Sequence, residues 1–99
     1  MLLTWSTRGW ADYLYWQTQD RKMLRRVNDL LHDIDRGAVE GRPHEGIGKP
    51  EALKHGLRGY WSRCINDEHR LIYKVADDGV FIVSCRFHCR PQGLRSSRT

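Results

Sequence analysis

The feature that most constrains the fold of this chain is a series of apolar residues at three- and four-residue intervals between residues 20 and 37. Positions three and four apart lie on one face of a helix, so the spacing predicts an amphipathic helix. The apolar positions are Met23, Leu24, Val27, Leu30, Leu31 and Ile34, and the opposite face carries Arg21, Lys22, Arg25, Arg26 and Asp29. Asp20 is placed to cap this helix and Gly37 to end it. The apolar face needs a second layer of structure to cover it.

Strand-like segments supply that second layer. Leu2 to Trp5 is typical of a short strand, and Ser6 is placed to cap a first helix. That helix would carry Trp10, Tyr13, Leu14 and Trp16. After a Gly- and Pro-containing stretch at residues 37–50, which predicts a surface loop, three further strand-like runs follow. They are Gly59 to Ile65, His69 to Val75 and Val80 to His88. Their short connections predict antiparallel pairing, and the helices can cover the sheet, so the sequence predicts an α+β domain.

The charge balance indicates a polyanionic partner. The 99 residues carry 17 Lys and Arg against 12 Asp and Glu, which gives a formal net charge of +5 and a pI near 9.4. Thirteen of the 17 cations are Arg, whose planar guanidinium favours forked recognition of phosphate. A basic surface that serves only solubility is the alternative.

Length and composition predict one globular domain that stays in the cytoplasm. The hydrophobic fraction is 39% and the charged fraction 29%, and residues 1–89 hold all the predicted elements. Residues 90–99 are rich in Arg, Ser, Pro and Gly and predict a flexible basic tail. No window is long and apolar enough to span a membrane, and the first residues lack the apolar region of a signal peptide. The three cysteines do not have the spacing of a disulfide framework.

The segment from Gly48 to His55 places an acid, two amines and an imidazole close together. Cleavage of RNA needs a base for the ribose 2′-hydroxyl proton, a cation beside the reacting phosphate and an acid for the departing 5′-oxygen. Glu51 with Lys54 and His55 can supply the first two roles. A solvated turn of mixed charge is the alternative.

Alternation along the predicted strand at residues 69–75 gives it two faces. One face holds Arg70, Ile72 and Lys74, and the other holds His69, Leu71, Tyr73 and Val75. Arg70 is therefore predicted to point away from the core, where its guanidinium can hold a scissile phosphate. A cross-strand ion pair with Asp67, Glu68 or a neighbour is the alternative.

The last strand-like run contains a candidate general acid and candidate metal ligands. Alternation places Arg86 and His88 on one face and Cys85, Phe87 and Cys89 on the other. His88 suits a general acid, because imidazole exchanges protons near neutral pH, although an ordinary surface histidine fits the pattern too. The same alternation separates His88 from both cysteines, which argues against a zinc site and against a Cys–His nucleophile pair. A bend at the strand end would restore the zinc alternative.

Several separated motifs together resemble one known family. They are Trp5-Ser6, Trp10 with Asp12 to Trp16, Gly46 to His55, Gly59 to Arg63, Glu68 to Tyr73 and Cys85 to His88. In this order and at these spacings the chain resembles the YoeB/Txe branch of the RelE toxin superfamily, over nearly all of residues 1–89.

The resemblance implies a fold, an activity and partners. The implied fold is RelE-like α+β, in which two N-terminal helices pack on a mainly antiparallel four-stranded sheet in the order β-α-α-β-β-β. The implied activity is that of a type II toxin, an endoribonuclease that cleaves mRNA in the ribosomal A site without a metal or other cofactor. The implied partners are an antitoxin of the YefM/Phd type and a second copy of the chain.

The resemblance also implies the roles of individual residues. Glu51 would be the base, Arg70 the phosphate-binding and transition-state residue, and His88 the acid. The substrate-binding set would be Lys49, Lys54, Arg63 and Arg86.

Two residues and one loop depart from the family pattern. Cys89 stands where relatives have a terminal aromatic residue, Cys64 stands where many have a second Arg, and the loop at residues 37–43 is about five residues longer, which surface loops tolerate. Two other function classes therefore stay open: a non-catalytic protein that binds RNA or the ribosome, and a zinc-stabilised interaction module.

Overall fold

Two helices pack on a five-stranded sheet in the computed structural model, which describes residues 2–87. The helices are α1, Thr7–Gln19, and α2, Arg21–Val39. The strands are β1 (Leu2–Trp5), β2 (Glu51–Ala52), β3 (Trp61–Cys64), β4 (Arg70–Ala76) and β5 (Gly79–Ser84), and a 3-10 turn lies at His55–Leu57. The predicted α+β class is confirmed, with one strand more than expected because β2 pairs with β3. His88 and the predicted tail at residues 90–99 lie outside the described residues.

The sheet order places the segment that contains Glu51 at one edge. The order is β1-β5-β4-β3-β2, with β1 parallel to β5 and every other pair antiparallel. The edge strand β2 is only two residues long, and a single strand, β3, separates it from β4. Residues of β2 and residues of β4 therefore come close together across β3.

Side-chain caps begin both helices at the predicted residues. Ser6 Oγ accepts from Gly9 N over 2.9 Å, and Asp20 Oδ1 accepts from Lys22 N over 3.0 Å and from Met23 N over 3.2 Å. Each bond satisfies a backbone donor that the first helical turn leaves free. Within residues 2–87 neither helix is long and apolar enough to cross a membrane.

The prediction that Gly37 ends α2 is wrong, since the helix continues to Val39. Gly37 is buried inside the last turn, where the chain returns so closely that a Cβ would lie 2.5 Å from the Arg42 carbonyl oxygen. Gly41, at φ +81°, makes the reversal instead, in a backbone region that favours glycine. The glycine at 37 thus serves close packing of two backbone segments.

Alternation along β4 is confirmed by the core. Leu71 and Tyr73 are fully buried in the cluster formed with α2 and β5, whereas Lys74 is exposed. Ile72 is buried as well but does not belong to that cluster, in keeping with its place on the opposite face. Arg70 shares the face of Ile72 and is half-buried.

The strand predicted to run to His88 ends at Ser84, because helix α1 binds the backbone of the next residue. Asp12 Oδ2 accepts from Cys85 N over 3.0 Å, and Trp16 Nε1 donates to the Cys85 carbonyl over 2.8 Å. With both backbone groups occupied, Cys85 cannot continue the ladder with β4. The alternation predicted for residues 83–89 therefore fails at residues 85–87, and residues 88 and 89 lie outside the described residues.

Candidate active site

Glu51 and Arg70 meet across strand β3. Glu51 pairs with Ser62, and Arg70 lies opposite Cys64 on the other side of that strand. This register brings Glu51 Oε1 to 3.5 Å from Arg70 Nη1. The Glu51 side chain is 60% exposed and that of Arg70 20% exposed. An ion pair this open to water adds about 0–1 kcal/mol of stability, and its two groups remain accessible to a ligand.

Ser62 holds the Arg70 side chain in place. Arg70 Nη1 donates to Ser62 Oγ over 2.9 Å, and Ser62 is itself buried. Among residues 2–87, Arg70 Nε has no hydrogen-bond partner although it is buried. A guanidinium that is held in place while its side chain stays 20% exposed is suited to an oxyanion, because its orientation is set before the anion arrives.

The chain that leads to His88 is attached to the start of β4. Phe87 N donates to His69 Nδ1 over 2.7 Å, and Arg70 N donates to the Phe87 carbonyl over 3.0 Å. Phe87 adopts φ +66°, so the backbone turns at this point instead of extending the sheet. The predicted acid, His88, lies outside the described residues, but it is bonded directly to a residue whose carbonyl is held by the Arg70 backbone.

Arg86 lies against aromatic rings. Its guanidinium carbon is 3.6 Å from the centre of the Tyr15 ring and 4.6 Å from that of Phe87. Stacking of this kind is worth about 0.5–2 kcal/mol and fixes the orientation of the guanidinium. Nε of Arg86 is buried without a hydrogen-bond partner in the part of the chain that the structure describes. Its predicted contact with substrate stays a prediction.

Lys54 and His55 share a groove with Glu51, and Lys49 lies outside it. The groove has a volume of about 570 Å³ and is lined by residues 51–57. Lys49, Lys54 and His55 are all exposed, and Lys49 and His55 adopt positive φ angles of 52° and 59°. The structure therefore brings the acid, one amine and the imidazole of this segment to one open surface.

The predicted contact of Arg63 with substrate is wrong, because its side chain is fully buried. All five guanidinium donors are occupied by groups of the protein. Nε donates to Tyr73 Oη; Nη1 donates to Asp33 Oδ2 and the Ile47 carbonyl; and Nη2 donates to the carbonyls of Pro43 and Glu45. No donor of Arg63 is left for a phosphate, and the residue has a structural role.

The structural role of Asp33, the partner of Arg63, was not predicted from the sequence, although its position in α2 indicates one. It lies in the apolar stripe of α2 between Leu30, Ile34 and Gly37, where an acid needs a partner. Burial raises its pKa, but hydrogen bonds from Arg63 and from the backbone of Ile47 outweigh burial, so the pKa is lower than usual. The carboxyl is therefore held in its charged form. Ser62 and His69 had no comparable signal, since their roles depend on strand register.

The environment of the Cys85 thiol argues against the zinc site and against the Cys–His nucleophile pair. Burial and the nearby Asp12 carboxylate raise its pKa to about 12. The thiolate is the form that attacks substrates, and it is scarce at such a pKa. The Cys85 side chain is also fully buried, with Sγ directed at the Gly9 carbonyl of α1. The other candidates for that zinc site, His88 and Cys89, lie beyond the last described residue.

The fold and the site define a small, basic α+β protein with an acid and a fixed guanidinium beside an open groove. A sequence model for the YoeB-like toxins of bacterial type II toxin–antitoxin systems matches residues 5–89. The chain therefore belongs to that family of toxins. Toxin YoeB of Escherichia coli (strain K12) is 50% identical to it over 88 residues, which cover 89% of this chain and 99% of that protein.

Solved structures agree with this assignment. A YoeB/ParE toxin from Agrobacterium tumefaciens superposes with a TM-score of 0.81 at 41% identity, covering 89% of this chain and 99% of that chain. The YoeB dimer from Staphylococcus aureus gives a TM-score of 0.79 at 48% identity, and the heterotetrameric YoeB–YefM complex from the same organism gives 0.79 at 47%. Each covers 89% of this chain and 97% of the solved chain.

Proposed function

We propose that this toxin is an endoribonuclease that cleaves mRNA in the ribosomal A site by general acid–base catalysis. Glu51 is the base, Arg70 binds the scissile phosphate, and His88 is the acid. Lys49, Lys54 and Arg86 contact the RNA backbone. The net charge of +5 supports a polyanionic substrate, and translating ribosomes place the reaction in the cytoplasm.

The proposed reaction needs three groups and no cofactor. Glu51 takes the proton of the ribose 2′-hydroxyl, and the 2′-oxygen attacks phosphorus. Arg70 stabilises the negative charge that accumulates on the phosphoryl oxygens. The bond to the 5′-oxygen breaks, and His88 gives that oxygen a proton. The products are a 2′,3′-cyclic phosphate and a 5′-hydroxyl.

The observation that carries the proposal is the contact between Glu51 and Arg70. Their side chains are 3.5 Å apart, although 18 residues separate them in sequence, and Ser62 holds the guanidinium. A base and an anion-binding cation at this distance can contact one RNA linkage from the 2′-oxygen to the phosphate. The backbone bond between Arg70 and Phe87 supports placing residue 88 at the same linkage.

The proposal is tested by mapping cut sites in a defined mRNA, with and without ribosomes, by primer extension. We expect cuts only on ribosomes and 5′-hydroxyl ends that a polynucleotide kinase labels directly. Glu51→Gln and His88→Gln should each slow single-turnover cleavage by about 10²- to 10⁴-fold, and Arg70→Lys by about 10²- to 10³-fold.

Matched substitutions provide the controls. Glu45→Gln removes an exposed acid from the same loop region, Arg58→Lys changes an exposed arginine near the groove, and His32→Gln removes an exposed histidine of α2. Each should cleave within about twofold of the parent chain, since surface substitutions away from a site have small effects. Tight ribosome binding with intact mRNA would overturn the proposal and favour the non-catalytic binder.

We further propose that an antitoxin of the YefM type neutralises the chain and that the free toxin is a homodimer. The Staphylococcus aureus relative is solved both as a dimer and in complex with YefM. Growth arrest on expression, relieved by a co-expressed YefM-type partner, tests the first point, and light scattering of the purified toxin tests the second. A monomer at micromolar concentration would contradict the dimer.

A further inference from the structure

Arg63 binds one loop through alternate residues. Three of its hydrogen bonds go to the carbonyls of Pro43, Glu45 and Ile47, at distances of 3.2, 3.1 and 3.1 Å. The Asp33 carboxylate completes this attachment, since Oδ2 accepts from Arg63 Nη1 over 2.6 Å and from Ile47 N over 3.1 Å. The loop at residues 43–48 is therefore bound directly to the buried ion pair.

Glycine allows this loop to approach the ion pair. A Cβ on Gly46 would lie 1.9 Å from Asp33 Oδ2 and 3.2 Å from Arg63 Nη1, and Gly46 has φ +128°. A Cβ on Gly48 would lie 2.7 Å from a Leu30 methyl carbon and 3.1 Å from Arg63 Cβ. Contacts below 3.0 Å force a neighbouring atom to shift, and the positive φ angles of Gly46 and Gly48, +128° and +84°, strain any other residue, so glycine favours this path of the loop at both positions.

The anchored loop ends three residues before Glu51. Cys64 N donates to the Gly48 carbonyl over 2.7 Å, which ties the end of the loop to β3. Only Lys49 and Pro50 separate Gly48 from Glu51, so about 10 Å of extended chain at most joins the anchor to the proposed base. Proline also restricts the backbone at one of these two positions. The location of Gly48 therefore limits where the Glu51 carboxylate can lie.

We propose that Arg63, with Asp33, is a positioning residue of the active site: it holds the loop at residues 43–48 so that Glu51 lies beside Arg70. The inference rests on the proposed function for its catalytic consequence, whereas the anchoring itself does not. Arg63 touches neither RNA nor the reacting atoms, so its loss lowers the rate at saturating substrate and leaves substrate affinity unchanged.

Two variants test the proposal in different ways. Arg63→Lys keeps a positive charge near Asp33 but replaces five planar donors by three on one nitrogen, so it cannot reproduce the bonds to the three carbonyls. Gly46→Ala keeps both charged side chains and forces the loop and the Asp33 carboxylate apart. If Arg63→Lys does not fold, Gly46→Ala alone decides the question. Gly41→Ala is the matched control, because Gly41 also has positive φ, at +81°, but a Cβ there meets nothing within 4 Å.

Single-turnover cleavage of mRNA on programmed ribosomes is the catalytic measurement. We expect Arg63→Lys and Gly46→Ala to lower the rate at saturation by about 10- to 100-fold, since a misplaced catalytic group costs this much. The ribosome concentration at half-saturation should stay within about twofold of the parent value, and Gly41→Ala should resemble the parent chain. An unchanged rate at saturation would overturn the proposal, as would a raised half-saturation concentration with an unchanged rate, which indicates direct contact with substrate.

Hydrogen exchange separates this inference from the proposed function. The amides of Ile47 and Cys64 donate to Asp33 and to the Gly48 carbonyl, so both should exchange faster in the two loop variants and at the parent rate in Gly41→Ala. If the parent chain cleaves no RNA, the proposed function fails while faster exchange still supports the anchoring. If the parent cleaves RNA but exchange at these amides is unchanged in the variants, the positioning role fails and the function stands.

Discussion

Asp33 accepts hydrogen bonds from one buried arginine and one exposed arginine. Replacing each arginine should lower the free energy of unfolding by a very different amount. The Arg63 side chain is 0% exposed and that of Arg36 is 69% exposed, and each binds one carboxylate oxygen. Arg63→Met leaves the buried charge without its main partner, so we expect the free energy of unfolding to fall by about 3–5 kcal/mol. Arg36→Met should cost less than about 1 kcal/mol. Urea unfolding compares the two, and equal losses would contradict the buried pair as the anchor.

The same carboxyl predicts how stability depends on pH. The pKa of Asp33 is lowered in the folded chain because the bonds from Arg63 and Ile47 outweigh burial. The unfolded chain, in which Asp has a pKa of about 3.9, therefore takes up the proton first as pH falls. The stabilisation is present above that value and is lost as pH falls through the folded-state pKa.

Asp33→Asn removes this titration and provides the test. Unfolding free energies measured from about pH 6 to about pH 3 should fall more steeply in the parent chain than in the variant, because only the parent loses the Asp33 contribution. Parallel curves would show that other carboxyls account for the acid sensitivity. Thermal midpoints over the same range give an independent check.

For single residues, the sequence was sufficient to predict which way a side chain points where strand alternation decides it. It was not sufficient to predict the role of a side chain whose partner is remote in sequence. The period of two placed Arg70 away from the core, as observed. Nothing in the residues near Arg63 indicates that an acid 30 positions earlier would bind it, so a residue with a structural role was predicted to bind phosphate. His88, the third predicted catalytic residue, stays a prediction.

Two cysteines at the ends of different strands of the sheet should differ strongly in reactivity. Cys64, in β3, is partly exposed, whereas Cys85, after β5, is fully buried with its pKa raised to about 12. At about pH 8 such a thiol is ionised to about one part in 10⁴, and the thiolate is the reactive form. In a Cys89→Ser chain we expect one thiol to react with a disulfide reagent in the native state and the second only after unfolding. Cys64→Ser should remove the fast phase; its persistence would contradict this assignment.

Element boundaries were predictable where one local residue defines them. Ser6 and Asp20 begin the two helices as expected, because a cap acts on amides two or three residues away. Boundaries set by tertiary contacts were not predictable. Gly37 packs against a returning segment and does not end α2, and β5 stops at Ser84 because Asp12 and Trp16 bind the next residue.

For the whole molecule, periodicity was sufficient to predict the class of fold. A one-faced helix followed by strands with short connections leaves few arrangements other than helices packed on an antiparallel sheet. The fifth strand was missed because Glu51–Ala52 is too short to show a period of its own and pairs only because β3 lies beside it. The same pairing brings Glu51 to Arg70. The strand that was not predicted from the sequence is therefore the strand that carries the proposed base of the candidate site.

The net charge of +5 predicts that the proposed association with ribosomes depends on salt and that part of this dependence comes from α2. Its exposed cations Arg21, Lys22 and Arg25 have no acid partner among the ion pairs of the described residues. Each cation that neutralises a phosphate adds about 0.7–0.9 to the slope of log affinity against log salt concentration. Replacing all three by Gln should therefore flatten that slope by up to about 2–3 and leave the cleavage rate at saturation unchanged.

The matched control removes cations that are already paired. Arg36 binds Asp33 and Arg42 binds Glu40, so replacing both by Gln should change the salt slope much less per charge than the α2 variant does. The binding constant of fluorescently labelled toxin for ribosomes, measured over a series of potassium chloride concentrations, gives both slopes. Equal slopes per charge removed would show that the field of the whole molecule attracts the ribosome. A flatter slope in the α2 variant alone would assign the attraction to that helix, because only contacts that release counterions contribute to it.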